Sequence, residues 1–119
     1  MSWTAGLRKE LIPWFEWILS YAQYFDRSVR VTSAYRSSTE QARLYRRFLA
    51  GLMPGPVAPP GLSKHEQGRA VDLWSSSGKE TELLINALQN AGQAWEQHGG
   101  TWGGHFKGSG KYDPMHFEA

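Results

Sequence analysis

The sequence predicts an α+β domain in which a small antiparallel sheet packs against helices. Three observations predict it. Apolar residues recur at three- and four-residue intervals in two long stretches, β-branched residues alternate with polar ones in a short run, and the Gly-rich last quarter places turn signals between isolated Trp and Phe residues. A length of 119 residues fits one domain, 1–119, with an N-terminal helical segment at 1–28. Hydrophobic residues at 40%, among them six Trp, five Tyr and five Phe, are enough for a small core and exclude a disordered chain.

The elements follow in order. Leu7, Leu11, Trp14, Phe15, Ile18 and Ala22 fall along one helical face, with Pro13 suited to the first turn, where its missing N–H costs little, and an end near Phe25 and Asp26. Val29 and Val31 alternate with Arg30 and Thr32, which reads as a strand delivering Tyr35 and Arg36 to its end. Ser37 with Glu40, or Ser38 with Gln41, forms a capping box for a second helix; Gln41, Tyr45, Phe48 and Leu49 share its face and Gly51 stops it. Residues 51–62 hold four Pro and three Gly and continue neither helix nor central strand, so they read either as a substrate-side lid or as a plain connector. Residues 71–74 read as a strand, and residues 80–93, with Leu83, Leu84, Ala87, Leu88 and Ala91 helically spaced, as a packed helix. From Gly99 onward, tight turns join short strands.

Composition narrows the chemistry. Thirteen Lys and Arg against eleven Asp and Glu leave a net charge of +2, too little to signal nucleic-acid binding, and Arg43, Arg46 and Arg47 read as a solvated helical face. The apolar stretch 11–22 contains Pro13 and Glu16 and falls well short of the roughly 20 apolar residues of a membrane span. It is followed by no small-residue cleavage site, so the protein is expected to be made in the cytoplasm without a signal peptide. With no Cys, disulfides, thiol nucleophiles and cysteine metal sites are excluded. Any metal must be held by carboxylates and by some of His65, His98, His105 and His116.

His65 and Asp72 lie seven residues apart in Ser63-Lys64-His65-Glu66-Gln67-Gly68-Arg69-Ala70-Val71-Asp72. On one helix that separation is about 10.5 Å, too far for two short side chains to share an ion, so the chain must turn, as Gly68 permits. A third ligand should be another His, and His116 is favoured because Asp113 precedes it by three positions. A hydrolytic zinc needs three protein ligands, an open position for water and a nearby base, and Asp113 is placed in sequence to be that base. His98, near a helix end, reads as a helix-terminal polar residue.

Ser63-x-His65-x-x-Gly68-x-Ala70-x-Asp72 followed by Asp113-x-x-His116-Phe117-Glu118 resembles the zinc D-Ala-D-Ala carboxypeptidase and L-Ala-D-Glu endopeptidase family of peptidoglycan peptidases. Ser33-Ala34-Tyr35-Arg36-Ser37 resembles that family's strand-end Arg motif, and Trp102-Gly103-Gly104 with Phe106 its Trp-Gly-Gly segment, so that the resemblance runs over residues 29–118. It implies the fold shared by hedgehog domains and D-Ala-D-Ala peptidases, Zn2+ on His65, Asp72 and His116, and Asp113 as general base where many members carry Glu. Arg36 would then hold the substrate carbonyl or its oxyanion.

Further roles implied are Glu118 hydrogen-bonded to a ligand ring, or else a solvated terminal carboxylate, and Trp102 lining the groove, or else packing in the core, with Tyr35 beside Arg36. Ser63 would cap the turn before His65, and His105 would be a substrate contact, an alternative ligand or a plain loop residue. The implied partner is the stem peptide of bacterial peptidoglycan and the expected state a monomer. The expected activity is an L-Ala-D-Glu endopeptidase, acting on the cell wall as an endolysin after phage-mediated release. The alternatives are a D-Ala-D-Ala carboxypeptidase and a non-catalytic zinc-stabilised binding module of the same fold.

Overall fold

A computed structural model describes residues 2–108 and 111–119. It contains helices α1 (Ile12–Phe25), α2 (Ser38–Leu49) and α3 (Glu82–Gln97) and strands β1 (Val29–Ser33), β2 (Ala70–Ser75), β3 (Thr101–Trp102) and β4 (His116–Glu118). The strands form one sheet in the order β1-β2-β4-β3 with every pairing antiparallel. The α+β class and the small antiparallel sheet are as the sequence predicts.

Helix α1 begins with Pro13 in its first turn and buries Phe15, Ile18 and Ala22. The sequence-derived stripe is too wide: Trp14 is 47% exposed, leaning on the His98 ring, and Leu7 lies before the helix, in a turn that still enters the core. Asp26 closes α1 and accepts hydrogen bonds from the Ser28 amide and hydroxyl, a side-chain turn that sends the chain into β1. Phe15 stacks on Trp95 of α3 with ring centroids 5.4 Å apart, which joins the two helices over one face of the sheet.

That face is made by alternation. Val71 and Leu73 of β2, Phe117 of β4 and Trp102 of β3 are buried in the core, with Val71 paired to Phe117 and Phe117 to Trp102. Each such fully buried side chain contributes roughly 1.5–3 kcal/mol. Asp72, one position on, belongs to the opposite face and is paired with His116. A register shift between Val31 and Ser33 brings Ser33 opposite Asp72, so the end of β1 also reaches this second face.

Ser37, not Ser38, caps α2, its hydroxyl accepting from the Glu40 amide, while the Ser38 hydroxyl donates to Glu66. Gly51, at φ +73°, ends the helix: its amide and that of Leu52 close on the carbonyls of Phe48 and Arg47. Gln41 is buried, but Leu49 is 65% exposed and leaves the shared face. Helix α3 starts at the Thr81 cap and runs beyond position 93, to Gln97, because Ala94 and Trp95 continue its buried stripe; Leu83 faces outward.

Candidate metal centre and cleft

Three elements bring three donors together. The turn Lys64–Gln67 carries His65, strand β2 carries Asp72, and β4 carries His116. The turn is fixed by a full capping box, in which Ser63 accepts from backbone amides and Glu66 reaches back to the Ser63 amide. It ends at Gly68 in the left-handed region, φ +68°, where a Cβ would stand 2.6 Å from the Gly6 carbonyl oxygen. Gly68 thus supplies both the turn and close passage for the N-terminal segment, whose Arg8 amide bonds the Gly68 carbonyl at 3.0 Å.

Both imidazoles aim one nitrogen at Asp72. His65 Nδ1 donates to the Ala34 carbonyl at 2.7 Å, which leaves Nε2 facing Asp72 Oδ1 at 3.4 Å. His116 Nε2 meets Glu118 Oε1 at 2.8 Å, which leaves Nδ1 facing the same Oδ1, also at 3.4 Å. These second contacts set which nitrogen is available, the usual arrangement around ligating imidazoles. Asp72 Oδ1 is buried with no hydrogen-bond partner, a costly condition for a carboxylate oxygen unless a cation is held there.

The donor set suits zinc. The three ligand atoms lie within 4.8 Å of one another, and a tetrahedral ion with bonds of about 2.0–2.1 Å spaces its ligands roughly 3.4 Å apart. Imidazole, carboxylate and imidazole are ordinary zinc ligands. The other oxygen of Asp72, Oδ2, accepts from Arg36 Nη2 at 3.1 Å.

The electrostatics follow from this crowding. Burial would raise the Asp72 carboxyl, but the facing His116 and His65 rings hold it well below the usual carboxylate range. Burial would lower His116, yet Asp72 and Glu118 outweigh it and push the ring up to about 9. Glu118 is held low by His116, against a smaller opposing effect of burial. Asp113 is pushed up to about 6 by burial and by the charge of Asp72, against the pull of His116, His65 and Arg36.

These groups open onto one cleft of about 670 Å³, lined by Arg36, Ser63, His65, Asp72, Asp113, His116 and Glu118. Asp113 is set by a turn whose amide donates to the Gly103 carbonyl at 2.9 Å and whose carbonyl accepts from the His116 amide at 3.1 Å. The Pro-rich stretch lines the same cleft through Met53, Pro54, Pro56 and Val57. Residues 51–62 are therefore a wall of the cleft rather than a plain connector.

Three expected site residues lie elsewhere. Trp102 is 3% exposed and does not line the cleft; its indole donates to the Pro114 carbonyl at 2.7 Å, so it supports the Asp113 turn from the core side. Gly92 and Gly104 make room for it, since a Cβ at either would fall within 2.2 Å of its ring. His105 pairs with Glu96 and packs edge-on against Trp102, outside the cleft. Tyr35 is not in the cleft wall but covers Gly6.

Gln41 is the residue that sequence reasoning missed. It is 1% exposed, accepts from Arg36 Nη1 at 3.1 Å and donates to the Ala58 carbonyl at 2.8 Å. Its only signal was a polar residue on an otherwise apolar helical face.

The family model described as VanY: D-alanyl-D-alanine carboxypeptidase matches residues 4–103, which includes His65 and Asp72 but stops short of Asp113 and His116. No curated protein sequence matches the chain significantly. Among solved structures, the Serratia marcescens L-Ala D-Glu endopeptidase ChiX is similar at 20% identity and TM-score 0.61, over 97% of this chain and 81% of that one. The vancomycin resistance D,D-dipeptidase VanXYg, bound to a D-Ala-D-Ala phosphinate analog, is similar at 21% identity and TM-score 0.69, over 94% of this chain and 49% of that one. A mutant of the vancomycin resistance D,D-pentapeptidase VanY from a VanB-type cassette, in complex with Zn(II), is similar at 17% identity and TM-score 0.66, over 94% and 71%. At these identities the structures establish a shared fold. With the family match covering most of the chain, and a His, Asp, His vertex suited to zinc, the chain belongs to the VanY D-alanyl-D-alanine carboxypeptidase family of zinc peptidases that act on peptidoglycan.

Proposed function

We propose that the chain hydrolyses an amide bond in the stem peptide of bacterial peptidoglycan, and that the bond is L-Ala-D-Glu. One observation carries the peptidase reading: the His65, Asp72, His116 vertex and the elevated carboxyl of Asp113 line the same cleft. His65 Nε2, Asp72 Oδ1 and His116 Nδ1 are the atoms that would hold the zinc ion. When bound, the ion supplies a Lewis acid for the scissile carbonyl and lowers the pKa of water. Asp113 accepts the proton of the attacking water and passes it to the leaving amine. Arg36 commits donors to Ser33, Gln41 and Asp72, which leaves two of its five N–H groups for the carbonyl oxygen and the negative charge it develops.

The endopeptidase assignment is supported by the likeness to ChiX, which spans most of both chains. The family match favours D-Ala-D-Ala carboxypeptidase activity as the second reading. A non-catalytic zinc-stabilised module would need neither Asp113 nor the free donors of Arg36 in its cleft. In the endolysin role, the protein is made in the cytoplasm and reaches the wall through a membrane permeabilised by phage; no helix among the described residues is long and apolar enough to cross one.

Digestion of defined muropeptides by zinc-loaded protein, read by mass, separates the readings. Cleavage between L-Ala and D-Glu is the expected product, and release of a single terminal D-Ala favours the second. Asp113→Ala is expected to lower turnover by about 10²–10⁴-fold with zinc content retained. Full activity in that variant removes Asp113 from the mechanism, and no cleavage by the parent protein removes the peptidase reading.

A further inference from the structure

Helix α2 reaches the cleft through one buried polar side chain, and its two hydrogen bonds join parts of the site that are otherwise separate. Gln41 is 1% exposed. Arg36 can only donate and the Ala58 carbonyl can only accept, so the amide has one orientation: Oε1 toward Arg36 Nη1 at 3.1 Å and Nε2 toward Ala58 at 2.8 Å. Arg36 in turn donates to Asp72 Oδ2 at 3.1 Å, the oxygen next to the one that faces both imidazoles. Ala58 lies within the Pro-rich wall, between Val57 and Pro59, where no strand pairing holds the backbone. An apolar side chain of the same size would fill the space but leave a mostly buried guanidinium donor and a partly buried carbonyl unpaired.

We propose that Gln41 is a positioning residue with two separable duties: its oxygen keeps Arg36 set against the metal-facing carboxylate of Asp72, and its nitrogen keeps the Pro-rich wall at the distance that admits substrate. The proposal rests on the peptidase reading for its substrate-side consequence only. The first duty acts on the metal vertex and so on metal affinity; the second acts on substrate binding, and so on KM more than on kcat.

Two variants divide the duties. Gln41→Glu keeps an acceptor for Arg36 but loses the donor to Ala58, whereas Gln41→Met loses both. For Gln41→Glu we expect faster amide hydrogen exchange in residues 53–62, a KM raised on the order of 10-fold with a smaller change in kcat, and zinc affinity within about twofold of the parent. For Gln41→Met we expect the same faster exchange and, in addition, zinc affinity lowered on the order of 10-fold in a chelator competition. Equal loss of zinc affinity in both variants, or unchanged exchange at 53–62 in both, overturns the proposal. Where Gln41→Met fails to fold, Gln41→Glu against the parent decides: faster exchange with zinc affinity kept supports the proposal, and the two lost or kept together overturn it. Exchange and zinc affinity are read without substrate, so they stand apart from any failure of the parent protein to cleave muropeptides.

Discussion

The metal vertex and the Pro-rich wall line one cleft, yet they are held by different kinds of bond. The vertex is placed by main-chain pairing. Asp72 and His116 are direct partners in the β2–β4 ladder, the Leu73 amide reaches the Met115 carbonyl at 2.8 Å, and the His65 turn is closed by Ser63 and Gly68. The wall has no ladder. It is tied by Gln41 to Ala58 and by the Glu66 carboxylate to the amide of Gly61. A backbone ladder fixes a donor to within the tolerance of the sheet, while a side-chain tether gives way with one substitution. The candidate ligands therefore sit where precision is needed, and the Pro-rich wall sits where sequence can vary at little cost to the fold.

The strongest way to break that contrast is to remove a ligand without touching the ladder. Asp72→Ala leaves every β2–β4 backbone bond possible but takes away the oxygen that both imidazoles face, and leaves Arg36 without its carboxylate. We expect zinc affinity to fall by more than about 100-fold, beyond what loss of an outer hydrogen bond produces, with peptidase activity lost in step. The stranded, mostly buried guanidinium should cost the zinc-free protein about 3 kcal/mol as well. Metal analysis and chemical denaturation with and without zinc measure the two effects separately. Wild-type zinc content in this variant would mean that the metal is held elsewhere.

How much of this contrast could be read from sequence differs between the two regions. His65, Asp72 and His116 were legible because a chain without Cys confines a metal to imidazole and carboxylate, Gly68 permits the turn between His65 and Asp72, and Asp113 precedes His116 by three positions; the ladder that sets His116 opposite Asp72 is visible only in the structure. The elements themselves were legible from apolar periodicity, with the errors at edges. Trp14 and Leu49 fall on apolar helical faces by phase, but phase does not say whether anything packs there, and both are left exposed. Trp102 stayed open between groove and core because its partners are absences: the missing side chains of Gly92 and Gly104 admit its ring, and no periodicity reports that. Gln41 was missed because its partners are a guanidinium five residues back and a main-chain carbonyl seventeen residues on. A main-chain acceptor leaves no mark in the sequence.

The charge balance of the vertex offers a second, smaller test. Without metal, His116 is an imidazolium between Asp72 and Glu118, raised from 6.5 to about 9. Since the folded protein holds this proton more tightly than the unfolded chain, the stabilisation is complete below pH 6.5 and is lost as pH rises through about 9. The shift corresponds to about 3 kcal/mol. Denaturation of zinc-free protein should therefore show stability falling from pH 6.5 to 9. With zinc bound, the metal takes the place of that proton and the decline should be absent or reversed. Equal decline with and without zinc would place the titrating group away from the vertex.

The smallest effects come from two glycines that share a backbone conformation but not a setting. Gly68 ends the His65 turn at φ +68° and Gly51 ends α2, where the wall begins, at φ +73°. Alanine at either position meets the same left-handed strain, about 1 kcal/mol. At Gly51 nothing lies within 4 Å of the added Cβ, so the strain is the whole cost. At Gly68 the Cβ would stand 2.6 Å from the Gly6 carbonyl oxygen and 3.0 Å from the Arg8 amide nitrogen, both backbone atoms with no rotamer to move to. The N-terminal segment must then shift and its bond to the Gly68 carbonyl must weaken, so Gly68→Ala should cost about 2 kcal/mol or more and lower zinc affinity, while Gly51→Ala should leave zinc affinity at the parent value. Denaturation curves and chelator competition on the two variants make the comparison. Equal costs would mean that the turn carrying His65 is no more tightly built than the start of the wall.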